Sequence, residues 1–207
     1  MNTLDIQRKL REIREVNTEV TRYSKIFNSV IMFLIGSVMG YITRWLYTNE
    51  QDASNIQTAI LTILSSIVIW VVIALAISFF AASPQRAALN VLLFFGGMCV
   101  SHYIFCILHK MDNPIDYMKM WFILTLAATI IAPIFWFGKG VGSRSVVIDV
   151  VIITVMTLLC FSVGHWYIRP ASIINTILFV VSVVMLHRNI KWSLISLILG
   201  IGLAILI

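Results

Sequence analysis

Charge is what this sequence has least of. Only 12% of its 207 residues are Asp, Glu, Lys or Arg, beside 60% hydrophobic residues. Soluble domains carry about a quarter charged residues, so a water-facing fold of this composition could not cover its own surface. Mean hydropathy is +0.96. Cysteine is scarce too. Cys99, Cys106 and Cys160 are odd in number and lie in apolar stretches, which argues against a disulfide framework and suits small buried hydrophobes. The polar links between apolar runs are short, leaving no room for a soluble domain. No G-x-x-x-x-G-K-[ST] loop is present, which argues against an intrinsic nucleotide-driven motor. G-x-S-x-G, HExxH, CxxC and paired carboxylates within a span are also missing, so no enzyme signature stands out. No internal repeat is evident. The first apolar run is longer than a signal-peptide core and no A-x-A-like site follows it, so it reads as a retained anchor.

What is present is a series of long apolar runs. A membrane helix needs about 20 mostly apolar residues. Spans are predicted over 26–47, 58–82, 85–108, 117–137, 146–168, 170–187 and 190–207. The last two are the shortest, and a re-entrant pair is their alternative. The expected fold is therefore all-α: a polytopic transmembrane bundle of about seven spans over 26–207, preceded by a cytoplasmic amphipathic helix over 1–25. In that first segment Leu10, Ile13, Val16, Val20, Tyr23 and Phe27 recur at helical spacing. Asp5/Lys9, Arg8/Glu12 and Arg11/Glu15 sit at i,i+4. Such a helix would lie on the membrane surface or pack on a partner helix.

Basic residues fix the expected orientation. With the N-terminus inside, 11 of the 15 basic residues fall in inner segments, and only Arg44, Lys110, Lys119 and Arg169 fall outside. That is the asymmetry of cytoplasmic loops. The net charge of +6 thus speaks of membrane topology and not of nucleic acid. Trp45, Tyr47, Tyr117, Trp121, Trp136, Trp166, Tyr167 and Trp192 cluster near span ends as an aromatic belt.

Polar and small residues inside spans are the candidate functional positions. Ser83 and Pro84 predict the cap and first turn of the third span. Arg86, Asn90, Gly97 and Ser101 follow as a stripe on one face, which should turn toward the bundle. With His102, and with Asn175 on a later span, they are the candidate cavity lining; tight packing is the competing reading. Asp149 is the one acid inside a strongly apolar span, about one turn in from the cytoplasmic side, and Arg86, Lys139 and Arg144 on the same side offer it an ion pair; a proton or cation relay is the alternative. Gly36 with Gly40, and Gly200 with Ala204, are small-residue pairs that let helices approach closely, within the chain or across a homodimer. Pro133 predicts a kink in the fourth span. His102, Cys106 and His109 share a face and are ligand types for zinc, copper or haem iron, with His165 as the remaining candidate. The outer two are about 10 Å apart along a helix, so no metal or other cofactor is expected, and histidines bonded to water or neighbouring helices are the plainer reading.

The stretch Ser83-Pro84-Gln85-Arg86-Ala87-Ala88-Leu89-Asn90-Val91-Leu92-Leu93-Phe94-Phe95-Gly96-Gly97-Met98, with His102-Tyr103 and Trp136-Phe137-Gly138-Lys139-Gly140, resembles a family of small uncharacterised multi-pass membrane proteins of Gram-positive bacteria. The resemblance implies a bacterial cytoplasmic membrane location and brings no activity with it. Three functional expectations follow: a small transporter, channel or solute-binding membrane subunit; a non-catalytic accessory or assembly protein acting through its N-terminal helix and glycine faces; and, third, an intramembrane metal or haem protein. The expected partners are the lipid bilayer and a second copy or another membrane protein.

Overall fold

The computed structural model describes residues 14–16, 21–49, 54–111, 114–140, 142–164, 167–187 and 189–207. The elements are α1 (Arg22–Thr48), α2 (Asn55–Ser65), α3 (Ile67–Phe80), α4 (Pro84–Leu108), α5 (Pro114–Gly138), α6 (Ser143–Cys160), β1 (Phe161–Gly164), β2 (Tyr167–Pro170), α7 (Ile173–Leu186) and α8 (Ile190–Leu206). Among the described residues, four helices are long and apolar enough to cross a membrane, α1, α4, α5 and α6, or five if α2 and α3 form one bent span. The fold is essentially all-α, and its exterior is apolar: Ile123, Ile130, Val184 and Ile198 are each more than 60% exposed.

Three predicted spans differ from the observed helices. The run 58–82 breaks at Ser66, where α2 and α3 meet at 65°. Ser66 takes an extended conformation and its hydroxyl accepts from the Val68 amide at 3.3 Å. The Trp70 indole donates to the Leu64 carbonyl at 2.8 Å, serving an oxygen that the break leaves without its helical partner. The run 146–168 ends its helix at Cys160, and Phe161–Gly164 pairs with Tyr167–Pro170 as an antiparallel hairpin. Aromatic and branched residues with Ser162 and Gly164 suit strands as well as a membrane helix, and hydropathy does not separate the two. The hairpin takes the first residues of the run 170–187, so α7 has 14 residues and starts after its Ser172 cap. α8 has 17.

The expected N-terminal helix lies largely outside the described residues. Of its described residues, 14–16 and 21 are not helical and Val16 is exposed, while 22–25 form the first turn of α1. Arg14 makes the tertiary bonds given below.

Two cores meet on α3. Trp70 and Ala74 pack into a cluster with α1, α4 and α5 that includes Val91, Phe94, Phe95 and Trp136. Val68, Val72, Leu75 and Phe79 pack with Ile152, Ile153 and Met156 of α6 and with Phe179 and Leu186 of α7. The α1–α4 seam is built on glycine. A Cβ on Gly36 would overlap the Phe94 carbonyl, one on Gly40 would lie 2.8 Å from the Met98 Cα, and one on Gly97 would overlap the Phe33 carbonyl. On α8, a Cβ on Gly200 would come within 2.7 Å of Ile153 on α6, and Ala204 is buried. These small residues serve contacts within the chain. α5 runs through Pro133.

Candidate functional site

The chemistry gathers where α4 begins. Ser83 caps the helix, its hydroxyl accepting from the Arg86 amide at 3.2 Å, and Pro84 opens the first turn. That start aims Arg86 and Asn90, one turn apart, toward α1. Arg86 Nη1 donates to Ser29 Oγ at 3.1 Å, and Ser29 Oγ donates to Asn90 Oδ1 at 3.2 Å. Ser29 and Asn90 are both buried.

A second set of bonds closes the same end. Arg14 Nη1 donates to the Trp136 carbonyl at 2.6 Å and Nη2 to the Phe79 carbonyl at 2.9 Å. Its guanidinium lies 4.2 Å from the centroid of the Trp136 ring. These carbonyls belong to the last turns of α5 and α3, where helices leave oxygens unsatisfied and carry partial negative charge. One side chain thus ties two helix C-termini together. Trp136 adds a third tie, donating from Nε1 to the Ala81 carbonyl at 2.7 Å. Trp136 is 1% exposed, so it belongs to the core and leaves the predicted aromatic belt. Trp121 packs edge-on against Trp70 at 5.9 Å.

Between these two networks lies a cavity of about 460 Å³, lined by Arg14, Ser24, Asn28, Arg86, Asn90, Trp136 and Lys139, with Glu15 also on its wall. Among the described residues, three basic side chains and one acid line it. Lys139 Nζ sits 4.5 Å from the Phe80 ring centroid. Partial burial, then the nearby Arg14 charge, holds the Lys139 amine below its usual pKa of 10.5. Burial likewise lowers the pKa of Arg14, and an arginine remains protonated at physiological pH. The cavity is therefore a concentration of positive charge beside polar, uncharged donors. It can hold an anion.

The other end of α4 is closed. His102, about 18 Å from Asn90 along the helix, lines a void of about 30 Å³ with Arg44, Cys99, Met118 and Trp121. That is room for about one water molecule. Arg44 Nη2 contacts Met111 Sδ at 3.0 Å. Ser101 lies against Gly40 in the α1–α4 seam and its hydroxyl donates to the Met98 carbonyl. Asn175 sits in the first turn of α7, half-buried, and lines neither cavity. The predicted lining thus divides: Arg86 and Asn90 come together, Ser101 and His102 lie at the opposite end, and Asn175 stands apart.

Of the predicted metal ligands, Cys106 is buried, and His109 caps α4, stacked on Phe105 with ring centroids 3.9 Å apart. His165 lies outside the described residues. Among the described residues no three His, Cys, Asp or Glu side chains converge as metal ligands. Asp149 is 2% exposed and faces Gly138, where Ser145 also donates to the Phe137 and Gly138 carbonyls at 3.0 and 2.8 Å. It belongs to the α5–α6 junction and does not line the cavity.

Sequence reasoning missed Arg14 and the inward role of Trp136. The available signal was the Trp136-Phe137-Gly138-Lys139-Gly140 run, whose glycines admit close neighbours at the helix end. Nothing local marks Arg14, because its partners are 65 and 122 residues away. No family model, curated protein or solved structure matches the chain.

Proposed function

We propose that this chain is a multi-pass protein of the bacterial cytoplasmic membrane that binds an anionic solute at its cytoplasmic face, as a solute-binding or transport subunit. The carrying observation is the 460 Å³ cavity lined by Arg14, Arg86 and Lys139. In this reading the N-terminus is inside and seven segments cross. Thr154 on α6 donates to the Gly200 carbonyl at 3.0 Å, so the middle of α8 lies beside the middle of a spanning helix. α7 joins the same core through Phe179 and Leu186. These contacts support the reading in which both short helices cross, with local thinning or snorkelling accommodating their length. Val91, Phe94, Phe95 and Met98 are buried between Asn90 and His102, which favours a binding site closed on one side over an open pore. The glycine faces are used within the bundle, which leaves the accessory-protein reading with less surface.

The test is thermal unfolding in detergent at constant ionic strength with inorganic phosphate added. A ligand that binds only the folded state raises the midpoint as its concentration passes Kd. Phosphate should raise it and choline should not, and Arg86→Gln should abolish the rise. A rise with choline but not phosphate would exclude an anion site.

A further inference from the structure

Residues 14–16 stand where two cavities meet. Arg14 and Glu15 line the cavity of about 460 Å³ described above. Val16 lines a second one of about 580 Å³, with Ser83, Pro84, Gln85 and Leu89 at the start of α4. Ala82 and Arg86 line both, so the two spaces abut along the turn between α3 and α4. One side chain carries the attachment of the three residues. Glu15 and Val16 are exposed, and among the described residues no backbone bond joins 14–16 to the helices. Arg14 is half-buried and holds the Trp136 and Phe79 carbonyls and the Trp136 ring. Segments with so little buried surface open locally at small free energy. Burial, then the Arg14 charge, lowers the Lys139 pKa, so the attached state also sets two like charges near each other.

We infer that residues 14–16 are a strap across this end of the bundle, latched by Arg14, and that its release joins the two cavities into one and opens the α3–α4 turn to larger molecules. The chemistry of the latch suits repeated opening. An apolar anchor would expose its surface to water on leaving. A guanidinium is at home in water, and the two carbonyls that it leaves lie at helix C-termini, where water takes its place. Val16, already exposed, gives up little burial when the strap moves. The latch also joins the ends of two different helices, α3 and α5, so it lets go only when both bonds break. The inference concerns access to the cavity and holds whatever the cavity binds.

Labelling of the purified full chain in detergent with a maleimide carried on polyethylene glycol tests it. Ala82→Cys, half-buried between the two cavities, reports the strap, and Gln85→Cys, exposed on the second cavity alone, is the reference. The natural Cys99, Cys106 and Cys160 are buried and report unfolding. Ala82→Cys should label slowly, and adding Arg14→Gln should speed it about tenfold, the scale of one bond to a charged group. Gln85→Cys should label at one rate with and without Arg14→Gln, and the natural cysteines should stay silent throughout. If Arg14→Gln exposes the natural cysteines, Arg14→Lys replaces it. That variant keeps the charge but loses the planar fork that reaches two carbonyls, and should speed Ala82→Cys a few-fold. A rate at Ala82→Cys that neither substitution changes would overturn the strap, and so would equal acceleration at Ala82→Cys and Gln85→Cys. Labelling of the natural cysteines in both variants would make Arg14 a residue of the fold and not a latch.

Discussion

The two ends of α4 begin from similar materials and finish differently. Each carries an arginine near a polar residue: Arg86 with the buried Asn90 at one end, Arg44 with the half-buried His102 at the other. The first end opens into about 460 Å³ and the second encloses about 30 Å³. The cause is backbone distance. At the His102 end α1 and α4 approach through Gly40, Gly97 and Ser101, and little space remains. At the Arg86 end α3 stops at Phe80, the chain turns through Ala81–Ser83, and Arg14 spans the gap between helix ends instead of a packed apolar side chain. Polar residues in a bundle become a site only where the helices supporting them stop or part.

The largest effect expected is from breaking the tight end. Gly40→Leu drives a branched side chain into the Met98 backbone and the Ser101 hydroxyl. Overpacking of this kind costs about 3 kcal/mol, read as a lower midpoint on SDS titration in mixed micelles. Gly202→Ala, which meets nothing within 4 Å, should leave the midpoint in place. An unchanged midpoint in Gly40→Leu would mean that the seam is looser than the structure shows.

Removing the clasp of the open end comes next. Arg14→Gln loses two charge-assisted bonds to carbonyls and the contact with Trp136. Net values for bonds to charged groups run near 1.5–3 kcal/mol, and partial exposure brings the expectation to about 1–2 kcal/mol on the same titration.

The smallest effect sharpens the comparison through pH. Lys139 is held below 10.5 by burial and by Arg14. A base whose pKa is depressed on folding binds fewer protons folded than unfolded, so stability rises with pH. Its unfavourable contribution is full below the folded pKa and fades as pH climbs toward 10.5. The unfolding midpoint should therefore shift upward across the alkaline range, and Lys139→Gln should flatten that slope. A slope unchanged by this substitution would assign it to other groups.

Some of this was legible in order along the chain. Ser83-Pro84 announced both the start of α4 and the placing of Arg86 and Asn90, because a cap and a first-turn proline act on their own neighbours. The break at Ser66 was not legible. Ser65 and Ser66 interrupt the apolar run from Ile63 to Trp70, but membrane helices carry serines without breaking, and the bond that stabilises the break comes from an indole six residues from the carbonyl it serves. The hairpin after Cys160 was hidden for a related reason: apolarity is shared by membrane helices and strands, and only pairing of Phe161 with Pro170 distinguishes them. Trp136 resembled an interfacial tryptophan because its position near a helix end suits both roles. The Ala81 carbonyl, 55 residues back, decided between them.

The sequence by itself determined that the chain is helical, that long apolar segments dominate it, and that Arg86 and Asn90 share a helix face. Composition, periodicity and capping act locally and need no partner. Only the tertiary structure decided which polar residues meet, which void is large enough to hold a ligand, and that Arg14 reaches the ends of α3 and α5. Those outcomes depend on where helices stop and how closely glycine lets them pack, and both are properties of pairs of elements distant in sequence.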